Sequence, residues 1–253
     1  MTSIDSPALP GADGAPVAVV TGASSGIGAA TARALARDGH DVVVHYRGDP
    51  DGAERVAEDV RAAGRLAATW RLDLGALNAT DDFWGPLRAR VDGGRPVDAL
   101  VLSAGVDQRG DLATFSSTDI RRIFEINAVA PLIVMQGVPD GVARGGAVVA
   151  VSSVAARAPM TISAPYSASK AALESLVASA ADWLAEREIR VNGVAPGAVA
   201  TPMQTPERQE LLRGSGILGE PEDIADVVLT LLSPATRWVT GQVVRASGPK
   251  IQP

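Results

Sequence analysis

The chain has 253 residues, 46% of them hydrophobic, which supplies one large buried core and is too much for disorder over most of the length. Its 23 basic against 29 acidic residues give a net charge of -6 with no basic run, so nucleic acid is not an expected partner. The absence of cysteine excludes disulfides, thiol catalysis and cysteine-bound zinc, and the two histidines, His40 and His45, are too few for a histidine-built metal site.

Residues 1–15 carry Pro, Gly, Ser and Asp without a basic start or an apolar run, and are expected to be a disordered tail rather than a signal peptide. No apolar run approaches the roughly 18 residues of a membrane span, so a cytoplasmic, soluble protein is expected. Strand-like and helix-like stretches then alternate. A strand at 16–21 precedes a helix reaching residue 39; a strand at 41–46 precedes a helix at 50–63 and a strand at 66–72. Further strands are read at 99–103, 147–152, 190–195 and near 242–245, with helices around 116–128, at 166–187 and at 220–232. Seven strands with intervening helices predict a single α/β, doubly wound domain over residues 16–249, its parallel sheet covered on both faces, with a short tail at 250–253.

Directly after the first strand stands Thr21-Gly22-Ala23-Ser24-Ser25-Gly26-Ile27-Gly28, and an Ala-rich helix follows. In that context Gly22 allows a sharp turn, Gly26 lets the backbone approach a pyrophosphate, and Gly28 permits close packing of helix on strand, with the helix N-terminus facing the anion. After the second strand, where a carboxylate would hold an NAD ribose, the chain has His45-Tyr46-Arg47. Arg47 suits a 2'-phosphate and predicts NADP, with NAD possible because Asp49 and Asp51 stand nearby as alternative ribose partners.

Tyr166 lies four residues before Lys170, which on a helix stacks phenol and ammonium one turn apart on one face. A cation there is expected to lower the tyrosine pKa from about 10 toward a range useful for proton transfer. Ser153, thirteen residues upstream of the tyrosine, is placed to hydrogen-bond the same reacting oxygen, with Ser152 the alternative. By itself the pair reads more readily as a surface tyrosine beside a solvated lysine; the rest of the chain reverses that judgement toward a catalytic site.

With these motifs in place the chain resembles the short-chain dehydrogenase/reductase family over about residues 16–248, most closely in look the 3-oxoacyl-carrier-protein reductases. The resemblance implies a Rossmann-like fold in which Tyr166 is the general acid or base, Lys170 assists it and binds the nicotinamide ribose, Ser153 positions the substrate oxygen, and Asn127 completes a water relay. It further implies dinucleotide contacts from Gly22, Ser24, Ser25, Gly26, Ile27, Gly28, Tyr46, Arg47, Asp73, Leu74, Ser103, Ala104, Gly105, Pro196, Gly197, Val199 and Thr201. Residue by residue, Asn127 reads alternatively as a packing residue and Asp73 as a turn residue. Asp107, Gln108, Arg157, Met160 and Met203 are the expected substrate contacts besides Ser153 and Tyr166.

Three departures from the family pattern stand out. Ser103-Ala104-Gly105 replaces Asn-Ala-Gly and is expected to alter the bracing of the central strands. The stretch from Thr201 to Leu218, with Pro202 and Pro206, is short for a substrate lid and predicts a stiffer or more open entrance. Ser247-Gly248-Pro249 replaces Asp-Gly-Gly. The function implied is NADP-dependent interconversion of a small-molecule carbonyl and its alcohol, in a 3-oxoacyl or polyketide-like ketone, by a homo-oligomer, dimer or tetramer. The alternatives are an NAD-dependent secondary-alcohol dehydrogenase and a non-catalytic dinucleotide sensor.

Overall fold

The computed structural model describes residue 9 and residues 14–248. Seven strands run β1 Val17–Val20, β2 Asp41–Tyr46, β3 Ala67–Arg71, β4 Val97–Leu102, β5 Val142–Val151, β6 Arg190–Pro196 and β7 Val243–Ala246. The helices are α1 Gly26–Arg37, α2 Pro50–Ala62, α3 Asp81–Arg88, α4 Ser117–Phe124, α5 Ala130–Gln136, α6 Val138–Gly141, α7 Ala164–Trp183, α8 Pro206–Gly214 and α9 Pro221–Leu232. All pairings are parallel and the order is β3-β2-β1-β4-β5-β6-β7, as a doubly wound chain requires. The order reverses between β1 and β4, where Val19 lies opposite both Val43 and Leu100, and the crevice beyond the strand ends there is where a dinucleotide fits.

Because successive side chains alternate across a strand, each strand feeds both layers. Val17 and Val19 join Val43, Trp70, Leu100 and Leu173 on one face, and Ala18 and Val20 join Val44, Leu35, Val56 and Ile224 on the other. The first face is finished by α3, which periodicity does not reveal because Gly85 and Pro86 interrupt its eight residues. It inserts Phe83 and Trp84, and Trp84 donates from its indole nitrogen to the Val134 carbonyl at 2.9 Å. Gly137 and Gly141 leave the space that this indole fills.

The helix expected around residues 116–128 opens on a capping box at Ser116 and Asp119 and then widens into a π turn over Glu125–Val129 before α5 continues. One part of the expected tail is ordered. Leu9 is 3% exposed in the core, bridges Val91 and donates its backbone N–H to Arg90 at 2.9 Å, so the expectation of disorder fails at that residue. Residues 1–8, 10–13 and 250–253 of the expected tails, and residue 249 of the expected domain, lie outside the described residues. No helix among the described residues is long and apolar enough to cross a membrane.

Candidate active site

The carboxyl ends of the strands open into a cavity of about 720 Å³. At its phosphate end β1 stops at Thr21, and the chain turns through Gly22 (φ 66°) and Gly26 (φ 54°) into α1. A side chain at Gly22 would meet the backbone of Ala104 at 2.8 Å, and one at Gly28 would overlap the Gly22 carbonyl, so the loop is held by contacts only glycine allows. The Thr21 hydroxyl accepts from the backbone N–H groups of Ser103 and Ala104 at 3.0 and 3.1 Å. With Ser103 in place of the usual asparagine, Thr21 therefore carries the bracing between β1 and β4.

The sequence did not mark His45 as a working residue, yet it fixes this turn. The Gly22 N–H donates to its Nδ1 at 3.1 Å while Nε2 lies 3.0 Å from the Leu72 carbonyl, an arrangement that requires the neutral ring with hydrogen on Nε2. Burial holds its pKa down to about 4, the Leu72 and Asp73 oxygens opposing only in part. The available signal was a single polar residue inside the apolar run of β2.

At the adenosine end the cavity is lined by Arg47, Asp73 and Leu74. Asp73 also accepts from the Gly75 N–H at 3.0 Å, so it serves as turn residue and cavity wall together. Asp49 lines the rim, but its carboxylate caps α2 by accepting from Gly52 at 2.9 Å, and Asp51 does not reach the cavity. Arg47 is exposed, and its guanidinium has no ion-pair partner among the described residues. Tyr46 is corrected. Strand alternation sends it to the opposite face from His45, where it is 6% exposed among Val44, Ala53 and Val56 and does not line the cavity.

The floor is formed by Ser153, Tyr166 and Lys170, together with Ala104, Gly105, Pro196, Gly197, Val199 and Thr201. Pro165 in the first turn of α7 sets the start of that helix and so the direction of the phenol one residue later. Lys170 donates from Nζ to the Val151 carbonyl at 2.8 Å and sits 5.8 Å from the centre of the tyrosine ring. Of the two serines, Ser153 acts on the phenol and lowers its pKa, whereas Ser152 bonds the Glu174 carboxylate at 3.1 Å.

The expected depression of the phenol is also corrected. Burial pushes Tyr166 up to about 12, and Asp107 adds to the rise, while the Ser153 hydrogen bond and Arg109 only oppose it. Lys170 is itself pushed down to about 8 by burial. Desolvation outweighs the Ser153 hydrogen bond and the Arg109 charge. Asn127 is fully buried in the π turn and is clamped, its Oδ1 accepting from the Val106 N–H and its Nδ2 donating to the Val106 carbonyl, both at 2.9 Å, and to Ser169 at 3.0 Å. A side chain at Gly105 would lie 3.3 Å from both Asn127 and Lys170, which brackets these two residues about one small gap.

Of the expected substrate contacts, Asp107, Met160 and Met203 line the cavity. Gln108 and Arg157 do not. Gln108 is exposed, and Arg157 turns outward to Glu174 at 2.8 Å with 74% of its side chain exposed. A helix, α8, stands beside the entrance. α8 packs Leu212 inward, Gln209 ties down the Thr201 and Gln204 carbonyls at 3.1 and 3.2 Å, and Gln204 takes a hydrogen bond from Arg109 at 3.0 Å. Thr201 sits on Gly26, joining the lid to the phosphate turn. Ser247 abuts the same region, since a side chain at Gly197 would meet it.

A nucleotide turn and a Ser-Tyr-Lys floor at the carboxyl ends of a parallel sheet define a dinucleotide-dependent oxidoreductase. Residues 16–212 match the short chain dehydrogenase family, and the chain belongs to it, as an NAD(P)-dependent enzyme. An uncharacterized oxidoreductase of Methylorubrum extorquens is 40% identical over 242 residues, 92% of this chain and 96% of its own. The 7alpha-hydroxysteroid dehydrogenase of Escherichia coli K12 is 35% identical, with 93% and 94% covered. Among solved structures, the angucycline C-6 ketoreductase LanV with bound NADP superposes with a TM-score of 0.85 at 36% identity, over 92% of this chain and 94% of that one.

Proposed function

We propose that this chain reduces a ketone with NADPH, in the cytoplasm and within one domain spanning residues 16–249, the carbonyl belonging to a polyketide-like or 3-oxoacyl compound. The observation that carries the reading is Tyr166, buried on the cavity floor with Ser153 and Lys170 lining the same space. Its phenol is protonated in the neutral range, so the site begins its cycle with a proton to give, which a ketone oxygen needs as it is reduced. NADPH, when bound, supplies the hydride. Ser153 holds the carbonyl oxygen, Tyr166 donates to it, and Lys170, charged below about pH 8, stands ready one turn along α7. Asn127, next to Lys170 across Gly105, is assigned the relay that returns a proton to the phenol. The intact catalytic set speaks against a sensor without activity.

The choice of NADP rests on Arg47, an unpaired cation where the nearest carboxylate, Asp49, is committed to a helix cap. LanV, a ketoreductase, carries the same nucleotide. Comparing NADPH and NADH affinities by fluorescence before and after Arg47→Ala tests this. Loss of a charge-assisted phosphate contact predicts about 10-fold or more weaker NADPH binding with NADH unchanged. Unchanged NADPH affinity refutes the preference.

A further inference from the structure

The wall opposite Ser153 is charged, and no step assigned so far uses that charge. Asp107 and Arg109 follow β4, and Gln204 and Arg208 come from the cover; all four line the cavity. Arg109 Nε pairs with Asp107 Oδ2 at 3.3 Å, with side-chain exposures of 28% and 6%. A second arginine nitrogen of the same residue reaches Gln204 Oε1 at 3.0 Å. Arg208 approaches from α8, and its Nε is buried without a hydrogen-bond partner, as is Asp107 Oδ1. The fields of Asp107 and Arg109 act on both Arg208 and Tyr166, so these charges lie on the substrate side of the site.

Two guanidinium groups against one carboxylate leave one positive charge uncompensated under the cover. Holding like charges together away from water is unfavourable unless an anion joins them. Asp107 is already engaged by Arg109, and Glu174 is turned away to Arg157 and Ser152. Among the described residues no other carboxylate pairs with Arg208, and an anion on a bound ligand would complete the set.

Resting on the ketone-reductase reading, we propose that Arg109 and Arg208 form an anion subsite, so that the preferred substrate is an oxo acid carrying a carboxylate or an equally acidic oxygen within a short chain's reach of the reacting carbonyl. Arg109 holds the anion from the β4 side and Arg208 from the cover, and closing of the cover is completed by the substrate's own charge. Asp107 keeps Arg109 pointed into the cavity and is a positioning residue.

Acetoacetate, levulinate and 5-oxohexanoate, each compared with its methyl ester, test the proposal through NADPH consumption, together with calorimetric binding of the same compounds to the NADP-loaded enzyme. The wild type is expected to favour the acid in at least one pair. Arg109→Gln and Arg208→Gln should each lower kcat/KM and affinity for that acid by about 10- to 100-fold, the usual size of a lost hydrogen bond to a charged group; Arg208→Gln should change the ester by less than about 3-fold, and Arg109→Gln, which also loses its bond to Gln204, should lower the ester no more than Gln204→Ala does. Gln204→Ala, which loosens the cover without removing charge, should affect acid and ester alike. Esters reduced as well as or better than their acids in every pair overturn the subsite while leaving the reductase reading intact. An equal fall for acid and ester in the arginine variants overturns it as well, by showing a role only in holding the cover, and so does weakened NADPH binding, by assigning the arginines to the cofactor. Arginine-dependent binding of an acid without reduction of any ketone supports the subsite and rejects the reductase reading. Neither binding nor reduction of the acids rejects the subsite.

Discussion

Replacing Lys170 with methionine separates the cost of burying the catalytic ammonium from the benefit of its hydrogen bond. Lys170 is 4% exposed, and its pKa falls from 10.5 in the unfolded chain to about 8 in the folded protein. A base depressed on folding binds its proton more readily in the unfolded state. Stability therefore rises with pH between about 8 and 10.5, and below pH 8 the penalty is fully present. At 1.36 kcal/mol per pKa unit the penalty at pH 7 is on the order of 3 kcal/mol, most of which has gone by pH 10. Lys170→Met removes it but leaves the Val151 carbonyl without its donor, which costs about 1–3 kcal/mol at any pH. The net change at pH 7 is thus small, and the informative quantity is how the difference between variant and wild type moves with pH. Urea unfolding of both proteins at pH 7 and pH 10 should show the variant losing on the order of 2–3 kcal/mol relative to wild type across that interval. A difference that stays constant would mean that Lys170 is not desolvated and would remove the reasoning about this site's charge.

His45→Leu removes the acceptor for the Gly22 N–H and the bridge to Leu72, and is expected to weaken NADPH binding about 10-fold in a fluorescence titration, with a smaller effect on kcat. Because folding lowers the His45 pKa from 6.5 to about 4, wild-type stability should fall as pH drops through that window, and the leucine variant should lose that part of the acid dependence in urea melts. Assembly is expected through α7 and α5, where Ala171, Ala172 and Ala178 are exposed and permit close approach, Leu132 is 49% exposed and Trp183 is 55% exposed. Light scattering should give a dimer or tetramer, and a monomer would refute this.

Much of the architecture is legible because each strand of the sheet is a short apolar run ended by a turn residue, and the first βα junction carries three glycines whose positions admit no side chain. The Tyr166 to Lys170 spacing is legible because one helical turn suffices to relate the two groups. Direction across a strand is not. β2 is buried on both faces, so Val42–Val44 gives no alternation from which to learn that His45 looks into the cavity and Tyr46 away from it. The sign of the Tyr166 shift was illegible for a different reason: spacing brings the ammonium near, but the burial that sets the sign comes from Ile123, Ala155, Val106 and Met160, assembled from distant segments. Gln108 and Arg157 were expected inside the cavity from their place in the chain, but Gln108 is exposed and Glu174 draws Arg157 to the surface. The cover resisted reading because two prolines suggest a stiff loop, whereas Pro206 begins a helix and Thr205 caps it by accepting from Arg208 at 3.3 Å.

The account depends on a protonated phenol delivered to a ketone oxygen beside a bound nicotinamide. Tyr166→Phe removes one oxygen and leaves the ring packed against Ile123 and Ala155. NADPH consumption with a reducible ketone should fall at least about 100-fold while NADPH still binds with wild-type affinity. Turnover that survives the substitution unchanged would contradict the account.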